Sequence, residues 1–175
     1  MNRDQCIGLM ILLEGGEANL KGDPGGHTKF GITQATLTSL QGKNVGANLP
    51  INVAQLTEDN AYVIYRAVDW AEIAGDQLPG ALPALMLNSA VNQGEPTAVA
   101  MLQECVGVPV DFRMGPKTLE AVKAWRSRYQ PGQSLAEEFA AHVGVKYASL
   151  YAKEGQFELG WMRRLFRVYT LAVST

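Results

Sequence analysis

Glycine, proline and capping residues divide this chain into segments of helical periodicity, and this division limits the fold more than any other feature. Thr33, Thr57 and Ser134 stand where helix N-caps are expected, and Ser134 with Glu137 forms a capping-box pattern. Proline near a helix start and glycine after its end mark further helices. These are a helix to about Gln93 with Pro79 and Pro83 in its early turns, one from Pro96 and one from Pro116. The sequence predicts a mainly α protein.

One stretch breaks this helical pattern. Residues 3–14 are apolar on nearly all sides, which predicts a helix at the centre of the core, and the Gly15-Gly16 pair ends it. Residues 17–32 carry four glycines and a proline, too many for a helix. Within them, "HTKFGIT" alternates loosely, so we expect a small β-hairpin near residues 19–32.

Composition excludes several classes of protein. With 47% apolar and 18% charged residues, the 175-residue chain is typical of a globular protein. Its net charge of -2 gives no reason to expect a nucleic-acid partner. The apolar run "IGLMILL" is too short to span a membrane and lacks a signal-peptide cleavage site. We therefore expect no integral membrane segment and synthesis in the cytoplasm.

The cysteines and histidines of the sequence do not predict a disulfide framework or a metal site. Cys6 and Cys105 allow one disulfide or none, and the sequence leaves both open. His27 and His142 have no Cys or carboxylate partner at ligand spacing, so we expect no metal and no cofactor.

Two carboxylates frame the glycine-rich stretch. Glu14 ends the apolar run, where partial burial and the negative potential of a helix C-terminus favour the protonated acid. Asp23 follows in a solvated Gly-Pro loop and should stay ionised. Glycosidases use such a pair, one carboxyl as general acid and the other as base or nucleophile. Thr28 follows and is a candidate to hold water. The alternative for Glu14 is a solvated or structural helix end.

Several motifs together resemble a known family. "EGG" followed by "DPGGHTKFGIT" resembles the opening motif of glycoside hydrolase family 108, phage and prophage muramidases that cut peptidoglycan. "IYRAVDWAEIAGDQLP" resembles its second helix. "LMLNSAVNQGEPTAVAMLQECVGVPVDFRMGPKTLEAV" resembles the peptidoglycan-binding-type segment that usually follows, and "FELGWMRRL" the closing helix.

The resemblance implies a lysozyme-like, two-lobed helical fold. The catalytic lobe would be residues 1–78, and residues 79–175 a helical peptidoglycan-binding-like lobe packed with it as one compact unit. The implied activity is hydrolysis of the β-1,4 bond between N-acetylmuramic acid and N-acetylglucosamine. The family's proton donor falls on Glu14, and the spacing to Asp23 and Thr28 resembles the Glu-Asp-Thr triad of small phage lysozymes.

The implied partners are peptidoglycan glycan strands. The protein is expected to be a monomer that is made in the host cytoplasm and acts on the wall after release. Two alternatives stay open: a non-catalytic wall-binding or secretion-assisting module, and a lytic transglycosylase. Further side chains are expected to bind substrate, some with a structural role as the alternative. These are Gly26, His27, Phe30, Gln34, Asn88 and Asn92.

Four of those residues have a competing interpretation. His27 suits a cleft or a hairpin surface, and Phe30 suits the core. Asn88 and Asn92, four residues apart on one helix face, suit N-acetyl groups of the sugar or buried backbone equally well.

Two positions depart from the family pattern. Glu17 replaces the usual aromatic residue, which alters a sugar contact or adds a charge to the cleft. Asp111-Phe112 replaces the usual Asp-Gly, which leaves open whether the tight turn forms and whether the second lobe binds the wall. Arg163, Arg164 and Arg167 form a basic cluster that is typical of a solvated helix face.

Overall fold

The computed structural model describes residues 1–18, 27–45, 48–127, 132–154 and 158–175. These residues are mainly helical, as the sequence predicted. The helices are α1 (Arg3–Glu14), α2 (Gln34–Leu40), α3 (Glu58–Ala67), α4 (Asp69–Glu72), α5 (Leu82–Gln93), α6 (Glu95–Val106), α7 (Pro116–Ala124), α8 (Leu135–Glu154) and α9 (Glu158–Val173). Short 3-10 helices lie at Val53–Gln55 and Gly75–Gln77. The strands are β1 (Glu17–Ala18), β2 (Thr28–Lys29) and β3 (Ile32–Thr33).

The three strands form a small antiparallel sheet in the order β1-β2-β3. Ala18 pairs with Thr28, and Thr28 pairs with Thr33. The hairpin expected near residues 19–32 is therefore present between β2 and β3, with Phe30 and Gly31 at its turn. Most of the expected segment, residues 19–26, lies outside the described residues.

The chain forms two compact units. The N-terminal unit is Asn2–Ala71, and the C-terminal unit is Glu72–Thr175, with which Met1 is grouped. The division of the chain into lobes at residue 78 stays a prediction.

The N-terminal unit has its core beneath the sheet and α2. Buried apolar side chains from β3, α2, the 3-10 helix at Val53–Gln55 and α3 pack together: Ile32, Leu37, Leu40, Val53, Leu56, Ala61 and Ile64. Helix α1 packs against α3. This core fixes the hairpin turn relative to the end of α1.

Helix α1 is less buried than predicted. Cys6, Ile7, Leu9 and Met10 are buried, whereas Leu12 is 67% exposed. The expectation of a central helix was wrong, because a run that is apolar on nearly all sides still leaves one face exposed, at Gly8 and Leu12. The helix that does fill a core is α5 of the C-terminal unit, buried continuously from Leu82 to Ala90. Helices α6, α8 and α9 pack around it.

Local capping signals predicted the starts of three of the described helices. Thr33 accepts a hydrogen bond from the Thr36 amide at the start of α2, and Thr57 caps α3. Ser134 and Glu137 form the predicted capping box of α8, with each side chain accepting from the other's backbone N–H. These predictions are confirmed, because a cap satisfies donors within a few residues and needs no tertiary partner.

The turn at Asp111-Phe112 forms despite the missing glycine. Phe112 adopts φ 63, a left-handed conformation that costs an L-residue about 1–2 kcal/mol. The buried Gln103 side chain holds the turn: its Oε1 accepts from the N–H groups of Asp111 (3.0 Å) and Phe112 (3.1 Å). Its Nε2 donates to Asp111 Oδ1 (2.7 Å) and Thr118 Oγ1 (3.0 Å). Hydrogen bonds from a distant side chain thus stabilise a left-handed turn that a glycine would otherwise adopt by its own backbone preference.

Candidate active site

Glu14 is the last residue of α1, and the chain turns away immediately after it. Gly15 has φ 73 and donates its N–H to the Ile11 carbonyl at 3.2 Å, which ends the helix. The Glu14 side chain is half-buried, and its Oε1 atom is shielded from solvent. The carboxyl group therefore sits at the edge of the N-terminal unit's core.

The turn between β2 and β3 lies directly against this carboxyl group. Phe30 and Gly31 both have positive φ, 53 and 75 respectively, as a two-residue type I′ hairpin turn requires. A Cβ atom on Gly31 would lie 2.8 Å from Glu14 Cγ, Glu14 Oε2 and Tyr65 Oη. Real Cβ atoms essentially never make contacts that short. The backbone of Gly31 therefore favours glycine, and any larger residue would have to displace Glu14 or Tyr65.

Tyr65 holds the turn in place from α3. Its side chain is only 3% exposed, and its hydroxyl group donates a hydrogen bond to the Phe30 carbonyl at 2.8 Å. Because Tyr65 Oη and Glu14 Oε2 flank the same point beside Gly31, the phenol is a neighbour of the acid. Sequence reasoning missed this role, since Tyr65 fits the apolar stripe of α3 and nothing local links it to Glu14.

The other predicted catalytic residues are only partly described. Asp23 and Gly26 lie outside the described residues. Thr28 is half-buried on β2, two residues before the turn that contacts Glu14. His27 is also half-buried, and its carbonyl accepts from the Gln34 N–H at 3.3 Å.

Phe30 and Gln34 make contacts that organise the N-terminal unit. The half-buried Phe30 packs against the core cluster, and Lys29 Nζ lies 5.6 Å from its ring centroid. The Gln34 amide donates to the Ile51 carbonyl at 2.8 Å and accepts from the Val53 N–H at 2.9 Å. Both residues thus support the walls around the hairpin, and direct contact with substrate stays a prediction.

In the C-terminal unit, Asn88 has no exposed surface. Its Oδ1 accepts from Arg164 Nε at 2.7 Å, which ties α5 to α9, so the basic cluster is not wholly a solvated face. Asn92 is exposed, and its amide donates to the Asn88 carbonyl at 2.7 Å. These contacts suit the structural alternative for Asn88, and recognition of N-acetyl groups by the pair stays a prediction.

Both cysteines are free thiols. Burial raises the pKa of Cys6 to about 11 and, reinforced by the charges of Glu138 and Glu104, that of Cys105 to about 12. Neither offers a thiolate nucleophile at neutral pH. Among the described residues, no group of three or more His, Cys, Asp or Glu side chains is placed to hold a metal ion. No helix in the described ranges is both long and apolar enough to cross a membrane.

Comparisons with known proteins match the chain in two consecutive segments, which meet just after α5 rather than at the boundary between the two compact units. Residues 8–94 match the profile of Glycosyl hydrolase 108, and residues 97–166 match a Predicted Peptidoglycan domain. The chain is similar to the structure of Brucella abortus SagA, with 31% identity over 98% of this chain and 94% of that chain and a TM-score of 0.80. A search of curated proteins found no match.

The fold and these matches define a glycosidase that acts on peptidoglycan and also carries a peptidoglycan-binding domain. The chain belongs to glycoside hydrolase family 108. The resemblance read from the motifs is confirmed at the level of the family.

Proposed function

We propose that the protein is an N-acetylmuramidase, which hydrolyses the β-1,4 bond between N-acetylmuramic acid and N-acetylglucosamine in peptidoglycan. One observation carries the proposal. Glu14 is held at the end of α1, with one carboxyl oxygen shielded and the other beside Gly31, where any added Cβ atom would clash with it. Such tight positioning is unnecessary for a solvated helix end and is what a general acid needs.

In this mechanism, Glu14 donates its proton to the glycosidic oxygen as the bond to the anomeric carbon breaks. Asp23, with Thr28, orients or activates the water that attacks the opposite face of the sugar. Glu14 then regains a proton from solvent. Inversion is the expected stereochemical course, by analogy with small phage lysozymes. It requires carboxyl groups about 6.5–9.5 Å apart, whereas retention requires about 5–5.5 Å.

The biological setting follows from the family resemblance. An endolysin of phage or prophage origin would be made in the host cytoplasm and would act on the wall during host lysis. The runner-up functions are a lytic transglycosylase and a wall-binding module without activity. A transglycosylase needs only one acid, so the requirement for Asp23 separates it from a hydrolase.

The test uses purified cell walls and four proteins: the parent chain, Glu14→Gln, Asp23→Asn and Glu58→Gln. Glu58 is an exposed glutamate in the first turn of α3, so Glu58→Gln is a matched control for loss of one carboxylate from the same unit. We expect Glu14→Gln to reduce clearing by about 10³-fold or more, because it removes the proton donor. Glu58→Gln should clear walls normally.

Product analysis decides among the alternatives. Reducing N-acetylmuramic ends mean hydrolysis, whereas 1,6-anhydro ends mean transglycosylation. Full activity of Glu14→Gln with unchanged folding would remove Glu14 from the mechanism. Full activity of Asp23→Asn would leave a one-acid reaction as the better account. Binding without cleavage by the parent chain would establish the non-catalytic module.

A further inference from the structure

The C-terminal unit contains a groove to which no ligand is assigned. It has a volume of about 640 Å³ and runs along α6, α8 and the loop between α6 and α7. Every residue that lines it falls between Thr97 and Ser149, inside the segment matched to the peptidoglycan domain. The groove is therefore a candidate for the place where that domain meets the wall.

The groove exposes apolar side chains that its own unit leaves uncovered. Val110 is 41% exposed, Phe112 57% and Val145 72%. Phe112 keeps its left-handed backbone here although glycine would remove the strain. Strain of this kind tends to persist where a side chain serves a function. Exposed apolar groups gathered in one concavity are typical of a binding surface.

Charged groups of both signs also line the groove. Glu104 on α6 is well exposed, with 57% of its side chain accessible, and Lys146 lies on α8. His142 lies between Glu104 and Glu138, at 3.9 Å and 3.4 Å from their carboxylate oxygens, so the expectation that it lacks a carboxylate partner was wrong. Glu138 is mostly buried and also accepts from Gln133, so Glu104 is the carboxylate most available to a ligand cation.

We propose that this groove binds the stem peptide of peptidoglycan, with Glu104 receiving the free amine of its diamino acid and Lys146 a peptide carboxylate. The inference rests on the proposed action on peptidoglycan and names the part of the polymer that the second unit recognises. The stem peptide combines alanine methyl groups with an amine and carboxylates. It therefore matches an apolar groove bordered by both charges, which an uncharged glycan does not.

The binding test uses a soluble peptide rather than whole walls. The probe is N-acetyl-L-alanyl-γ-D-glutamyl-meso-diaminopimelyl-D-alanine, titrated calorimetrically into the full chain. A second probe has the diaminopimelyl amine acetylated as well. Neither probe contains a glycosidic bond, so the result does not depend on Glu14. Failed wall hydrolysis with intact peptide binding would overturn the proposed function alone.

Three variants locate the site. Val145→Asp should weaken binding of the first probe about tenfold, because it puts a charge on the apolar wall. Val173→Asp is the matched control, since Val173 is 52% exposed in the same unit but does not line the groove. Glu104→Gln should weaken binding of the amine-bearing probe about tenfold and leave binding of the fully acetylated probe unchanged.

Three results would overturn the proposal. The first is that the parent chain binds neither probe. The second is that Val173→Asp weakens binding as much as Val145→Asp. The third is that Glu104→Gln affects both probes equally. Circular dichroism of each variant confirms the fold, and Glu104→Gln, a surface change, keeps the test decisive if Val145→Asp fails to fold.

Discussion

Two turns of this protein contain a residue with a left-handed backbone, and they accommodate that conformation in opposite ways. At Gly31, the second residue of the hairpin turn, φ is 75; at Phe112, in the turn after α6, φ is 63. Around Gly31 there is no room for a Cβ atom, because Glu14 and Tyr65 occupy the space. Around Phe112 the side chain is exposed, and Gln103 supplies the stabilisation.

The difference separates two reasons for a glycine. A backbone preference alone is worth about 1–2 kcal/mol and can be offset by hydrogen bonds made elsewhere. A steric requirement set by a functional neighbour cannot be offset without moving that neighbour. Gly31 has both reasons and Phe112 only the first, so substitutions at the two turns should have different consequences.

Of the substitutions at the two turns, Gly31→Ala is expected to have the largest effect, because it changes activity as well as stability. The added methyl group must displace Glu14 or Tyr65, so wall clearing should fall about a hundredfold and the free energy of unfolding by about 2–3 kcal/mol. Gly42→Ala is the matched control, because Gly42 also has φ 75 but nothing within 4 Å of a Cβ atom. It should cost about 1 kcal/mol and leave clearing unchanged. Equal activity of the two variants would refute the steric requirement.

The next largest effect is expected from removing the Gln103 side chain that holds the turn at Phe112. Gln103→Met leaves the N–H groups of Asp111 and Phe112 without their acceptor, so urea denaturation should show that the free energy of unfolding falls by about 2 kcal/mol. Thr118→Val removes only one of the partners of Gln103 and should cost about 1 kcal/mol. If the two variants were equally stable, Gln103 would not be what holds the turn.

Phe112→Gly should have a smaller effect of the opposite sign. It relieves the left-handed strain but frees the unfolded chain, so we expect a net gain of about 0.5–1 kcal/mol in unfolding free energy. Phe112→Ala keeps the Cβ atom and should give no gain. Thermal denaturation of both variants distinguishes the effect of backbone strain on stability from the effect of losing the aromatic ring. Destabilisation by Phe112→Gly would mean that the ring contributes more to the fold than its exposure indicates.

The smallest effect concerns the charge on Asp111. The hydrogen bond from Gln103 is the main reason why the pKa of this carboxyl lies below its ordinary value of 3.8. A lowered folded pKa means that the carboxylate stabilises the fold above about pH 4 and that this contribution disappears as the pH falls through the folded value. The melting temperature of Asp111→Asn should therefore lie slightly below that of the parent at pH 7 and approach it at pH 3. A gap that widens in acid would reverse this sign.

What the sequence predicted depends on how far each interaction reaches along the chain. The Thr33, Thr57 and Ser134 caps were predictable because donor and acceptor lie within one helical turn. Glu14 could be proposed from its position at a helix end and from the family motif.

The remaining contacts were not predictable, because they join elements distant in sequence. Tyr65 meets the hairpin from α3, Gln103 reaches the next loop from α6, and Arg164 reaches Asn88 from α9. The exposure of Leu12 was missed for the same reason, since composition does not say which face of α1 finds a partner.

The raised pKa values of Cys6 and Cys105 have a practical consequence for how the protein responds to oxidation. A protein that acts on a cell wall meets oxygen and oxidised small thiols, and mixed disulfides form through thiolates. Because both sulfurs are held in the protonated form, exposure to air should produce neither disulfide-linked dimers nor mixed disulfides with small thiols. Samples stored with and without a reducing agent should therefore have the same mass and the same wall-clearing activity.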